Sequence, residues 1–136
     1  MGDTIMAYGT LLTDAVQSST ANTPPQFNDG NGTQVGTLCR AWVNFNGVTT
    51  ATIRASFNVS SVTRNSTGDY TVNFTNAMPD ANYSALAVGN YTLGAGGSVI
   101  ATPKAGTTPT ASAIQIFVEV NGSIADLSYV NVSIFR

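Results

Sequence analysis

Residues 39–47 read CRAWVNFNG, and the alternation in that stretch decides how the chain is read. Successive side chains of an extended strand point to opposite sides, so Cys39, Ala41, Val43 and Phe45 share one face and Arg40, Trp42, Asn44 and Asn46 the other. The first set is what a half-buried strand turns toward a core. Trp42, the only tryptophan of the chain, breaks the pattern by standing on the polar side. A single exposed apolar residue is ordinary. An indole beside an arginine is also the composition of an interface centre. Arg40, Trp42 and Asn44 are therefore read as the candidate oligomer interface, with Trp42 covered by another subunit, by the N-terminal arm, or by a second sheet of the same domain.

The same period of two continues downstream. In ATIRASFNVS (51–60), read as one strand, Ile53, Ala55, Phe57 and Val59 face one way. RNSTGD (64–69) reads as a hairpin turn into GDYTVNFTN (68–76), whose Tyr70, Val72 and Phe74 point inward. AMPDAN (77–82) is a polar corner, and further strands are expected at 83–90, 97–102, 111–120 and 127–135, the last with Val130, Val132 and Ile134 on one face. About seven or eight short strands with turns between them and no sustained helical period predict an all-β fold. It should be an antiparallel β-sandwich, jelly-roll-like or a related barrel.

Upstream the composition changes. LLTDAVQSS (11–19) is a weak patch of possible helix, and TANTPPQFNDGNGTQVG (20–36) is rich in Asn, Thr and Gly around Pro24-Pro25, which forbids regular helix. Residues 1–37 are read as an attachment arm or linker and 38–136 as the β-sandwich domain. A chain of 136 residues is the size of one domain. Its hydrophobic share of 43% excludes a disordered tail, while only 9% of residues are charged, against roughly 25% in an ordinary domain. So sparse a charge gives little protection against self-association. The net charge is −2 and the five basic residues are scattered, which argues against a nucleic-acid partner. The N-terminus lacks the pattern of a secretory signal, and no window approaches the roughly 18 apolar residues of a membrane span, so synthesis in the cytoplasm without membrane insertion is expected. The eight Asn-X-Ser/Thr triplets are discounted as glycan sites, since several fall within expected strands.

Little in the sequence points to catalysis. The absence of histidine removes the commonest general base and the usual nucleophile pairs. Asp69 and Asp80 are expected to cap turn amides, Glu119 lies on the polar side of a strand, and no pair of carboxylates stands out as a hydrolytic dyad. DGNGT (29–33) echoes a calcium loop without its spaced acids and is better read as a turn. GAGG (94–97) lacks the companions of a phosphate loop. Single Cys39 can form no intrachain disulfide and reads as a small buried hydrophobe. No cofactor, metal or enzymatic activity is expected. Recognition, if present, belongs to the loops at 89–97 and 103–109, with Asn90, Tyr91, Thr92 and Lys104 as the candidate sugar-binding set.

Two segments, CRAWVNFNG (39–47) and IRASFNVSSVTRNSTGDYTVNFTNAMPDANY (53–83), carry a resemblance. With their Arg40-Ala41-Trp42, Gly68-Asp69-Tyr70 and Met78-Pro79-Asp80, they resemble a module of tailed-bacteriophage virion proteins, particularly tail-fibre and tail proteins of marine and cyanobacterial phages. The resemblance implies a virion component, homotrimeric, whose arm attaches to a neighbouring phage protein and whose β domain faces outward to bind host-surface glycan. It transfers no catalytic residues. The chain is short and lacks shaft repeats, so it also suits a non-ligand-binding accessory: a head decoration or cement protein, or a tail or baseplate component.

Overall fold

The computed structural model describes residues 15–19, 25–90 and 99–136. The chain divides into two units, Met1–Gly36 and Thr37–Arg136, one residue from the boundary suggested by composition. In the first, β1 (Phe27–Asn28) and β2 (Gln34–Gly36) form a small antiparallel hairpin. One carboxylate oxygen of Asp29 closes it by accepting from the backbone amides of Asn31 and Thr33 at 2.9 and 2.8 Å. The calcium-loop echo is thus an Asx turn. Of the possible helix at 11–19, residues 11–14 lie outside the described residues and 15–19 carry no regular element.

The second unit contains β3 (Cys39–Asn46), β4 (Thr52–Phe57), β5 (Val59–Ser66), β6 (Asp69–Phe74), β7 (Ser84–Asn90), β8 (Val99–Pro103), β9 (Ala113–Val120), β10 (Ser123–Ile124) and β11 (Tyr129–Phe135). They build two antiparallel sheets. One has the order β4-β3-β11-β7; in the other β9 lies between β6 and β8, β5 flanks β6, and short β10 pairs with the end of β9. The expected all-β antiparallel sandwich is the fold of this chain. Its core interleaves Ala41, Val43 and Phe45 of β3 and Val130, Val132 and Ile134 of β11 with Tyr70 and Val72 of β6 and Ile114, Ile116 and Val118 of β9. The Phe45 and Tyr70 rings meet edge to face at 5.1 Å between the sheets. Small residues on β7 and β8, Ala85, Ala87 and Ala101, pack against its margin.

The stretch 51–60 departs from the sequence reading. It is two strands, β4 and β5, which belong to different sheets. Asn58 makes the corner in the left-handed region at φ 54°, a conformation Asn tolerates better than most residues. Its amide nitrogen donates to the carbonyls of Arg40 and Asn76 at 3.0 and 3.1 Å, and its oxygen accepts from the Asn76 amide at 2.7 Å. Within β4 the register slips: Phe45 pairs with Ile53 but Asn44 pairs with Ala55, leaving Arg54 as the extra residue of a bulge. A one-residue slip exchanges faces. Ile53 therefore packs on the core, whereas Ala55 and Phe57, expected inward, are exposed.

The hairpin at 64–69 also differs in extent from the expected turn. Strand β5 runs to Ser66, so the turn into β6 is only Thr67-Gly68, with Gly68 at φ 66°. Between β9 and β10, Asn121 and Gly122 have φ 52° and 77°, as a two-residue type I′ turn requires.

Candidate functional site

The face of the β4-β3-β11-β7 sheet turned away from the core carries the answer to the Trp42 question. Trp42 is 40% exposed, and the second sheet packs on the opposite side of β3, so a closing sheet of the same domain is ruled out as its cover. Register places Phe57 opposite Trp42 on β4, Ser133 opposite Trp42 on β11, and Leu86 opposite Ser133 on β7. The next row is Ala55, Asn44, Asn131 and Val88. Phe57, Leu86 and Val88 are 55%, 60% and 54% exposed. Two rows thus set large apolar side chains on three of the four strands, and the bulge at Arg54 delivers Phe57 to the group. At the centre Asn44 Nδ2 donates to Asn131 Oδ1 at 2.6 Å. Arg54 borders the face with its guanidinium 4.1 Å from the Tyr129 ring centroid while donating to the Ser128 carbonyl at 2.6 Å. Of the expected interface residues, Trp42 and Asn44 lie within this face. Arg40 is the extra residue of a second register slip at its margin, and its carbonyl is held by Asn58.

The outer face of the other sheet is built differently. Thr63, Asn65, Asp69, Thr71, Asn73 and Gln115 line it with hydroxyls and amides that bond to one another. Asp69, only 7% exposed, is the hub, accepting from Asn65, Gln115 and the Lys104 ammonium at 3.0, 3.0 and 2.6 Å. Burial alone would raise its carboxyl; the bonds from Asn65, Lys104 and Gln115 outweigh that and hold it below the usual carboxylate value. Asp69 therefore binds side chains, not the turn amides expected of it. Asp80 does accept from a backbone amide, that of Asn82 at 2.8 Å, and also pairs with Arg136 at 2.6 Å.

This placement bears on the sugar-binding set. Tyr91 and Thr92 lie outside the described residues. Asn90 ends β7, whereas Lys104 follows the last residue of β8. Gly89 lies against Val99 at one end of β8 and Lys104 follows its other end, so Asn90 and Lys104 are separated by the length of a five-residue strand, about 16 Å at an extended rise. The structure does not bring Asn90 and Lys104 together, and the Lys104 ammonium is engaged by Asp69.

A second polar cluster lies at the end of the sandwich near Gly47. Asp126 receives two bonds from the Arg64 guanidinium through one of its oxygens, Nε at 3.0 Å and Nη2 at 2.7 Å, and its other oxygen accepts from the Gly68 amide at 2.9 Å and the Tyr70 hydroxyl at 2.5 Å. Burial would raise the carboxyl, but the bonds from Arg64, Tyr70 and Gly68 hold it low. Burial, reinforced by the Asp126 charge, pushes the Tyr70 hydroxyl well above its ordinary value. The cluster is saturated and its partners are structural: it joins β5, the β5–β6 turn, β6 and the chain entering β11. The sequence pattern gives no sign of this role for Asp126, because the partners Arg64 and Tyr70 are more than 50 residues away. Among the described residues no group of acids, cysteine or histidine is arranged to hold a metal ion.

The class these features define is an antiparallel β-sandwich with one apolar and one hydroxyl- and amide-rich outer face. Comparison of the chain with protein-family models, with curated proteins and with solved structures finds no match.

Proposed function

We propose that this chain is a non-enzymatic structural module of a bacteriophage virion, acting as an accessory that docks through its β-sandwich. The observation that carries the reading is the contrast between the two outer faces. Trp42, Phe57, Leu86 and Val88 share two adjacent rows of one sheet, whereas the β5-β6 part of the other carries Thr and Asn and its exposed Ile100 and Ile124 stand singly on β8 and β10. An apolar group of the first kind is what a docking surface presents. The resemblance of the 39–83 segments to tail-fibre and tail modules supplies the setting. The saturated, structural use of Gly68, Asp69, Tyr70, Met78 and Asp80 suits a module whose motifs specify a fold instead of a reaction.

Host-glycan attachment is the receptor-binding form of the same setting, and the separation of Asn90 from Lys104 weakens it. Mass spectrometry and antibody-gold labelling of purified particles from a phage encoding this chain test the proposal. The chain should be found in particles, and deleting residues 1–37 should reduce its incorporation while leaving a folded β domain. Particles that lack the chain would refute the virion reading.

A further inference from the structure

The apolar outer face has a definite fit to one occupant. Trp42, Phe57, Leu86 and Val88, with Tyr129 and Phe135 at 43% and 36% exposure, offer roughly 500–650 Å² of accessible surface on the scale of large side chains, at or above the largest patch of a typical monomer. A stable pair of proteins buries about 800 Å² per partner, of which about two-thirds is apolar in homodimers. The face therefore supplies the apolar centre of one such interface, with Asn44, Asn131 and Ser133 for its polar part.

Its polar groups are self-complementary as well. With one Asn44 Nδ2–H given to Asn131 Oδ1, the central pair still holds donors, the second Asn44 N–H and the Asn131 NH2, and an acceptor, Asn44 Oδ1. Two copies related by a two-fold axis match the donor of each to the acceptor of the other. No acidic residue lies on β3, β4, β7 or β11. The Arg54 guanidinium at the edge is taken up by the Tyr129 ring and the Ser128 carbonyl. Arg54 and Arg40 stand at the margins and no charged residue lies in the two central rows, so a second copy meets no charge there that it must strip of water unpaired.

We infer that two copies of this chain pair face to face through their β4-β3-β11-β7 sheets, stacking them at the ~10 Å spacing of packed sheets with Trp42 near the two-fold axis. The inference rests on the reading of this face as a docking surface and names its occupant. It is separable from the virion proposal: a dimer can form in a chain absent from particles, and a chain present in particles can be monomeric in solution.

Light scattering of the full chain across a concentration series tests it. The expected result is a monomer–dimer equilibrium. Trp42→Ser with Phe57→Ser, and independently Leu86→Lys with Val88→Lys, should each weaken it about tenfold or more. Ile100→Ser, on the outer side of the other sheet, should leave it unchanged. All of these residues are exposed, so circular dichroism should show each variant folded. A monomer at all concentrations, a trimer, which two-fold pairing of one face cannot produce, or a dimer that survives both double substitutions would each overturn the inference.

Discussion

Gly68 shows how tightly single residues are specified in this sandwich. It sits at φ 66°, and a Cβ there would lie 2.5 Å from the Val118 carbonyl oxygen and 2.7 Å from Ile124 Cγ2. Backbone conformation and neighbours both exclude a side chain, so Gly68→Ala should lower unfolding free energy by about 1–3 kcal/mol in urea titration. Tyr70 next to it fills the core with its ring and bonds Asp126 with its hydroxyl. Tyr70→Phe keeps the ring but leaves a carboxylate short of a donor, and should cost about 1–3 kcal/mol by the same measurement. Inward placement of Tyr70, Val72 and Phe74 was legible from alternation alone. The Asp126 partnership was not, because alternation describes a strand's own faces and says nothing of which distant side chains a turn residue will reach.

At the scale of elements, the corner at Asn58 separates what local pattern can and cannot reveal. Ile53, Ala55, Phe57 and Val59 alternate as one strand, yet a bulge at Arg54 and a left-handed residue at 58 divide them between two sheets and two faces. Both irregularities depend on the pairing partner, β3, and leave no mark in the hydrophobic pattern. Asn58→Gly keeps the backbone angle and loses three side-chain bonds; Asn58→Val loses the bonds and forces a branched side chain into the left-handed region. Both variants should be less stable than the parent, with Val about 1–2 kcal/mol worse than Gly in thermal or urea unfolding. Equal stability of the two would remove backbone conformation from the account of this corner.

Over the whole molecule, buried Asp69 and part-buried Asp126 link stability to pH. Asp69 and Asp126 both sit below their ordinary value when folded, so in acid the unfolded chain binds protons that the folded chain refuses. Their contribution is complete above the unfolded value of about 3.9 and is lost as pH falls through the lower folded values. Melting temperature should therefore hold near neutrality and fall progressively below about pH 4, less steeply in Asp126→Asn. The sandwich itself was readable from the strand count, while the separation of Asn90 from Lys104 and the asymmetry of the outer faces needed the strand order. Trp42 was the one outward signal, and Phe57, Leu86 and Val88 became its neighbours only through the register of four strands.

Because Trp42 is the only tryptophan, its fluorescence reports on the docking face without labelling. Acrylamide quenching of the full chain across dilution measures its cover directly. Face-to-face pairing predicts a shielded, blue-shifted indole at high concentration that becomes quenchable and red-shifted on dilution, in step with the fall in mass. An indole equally open to quencher at every concentration would contradict it.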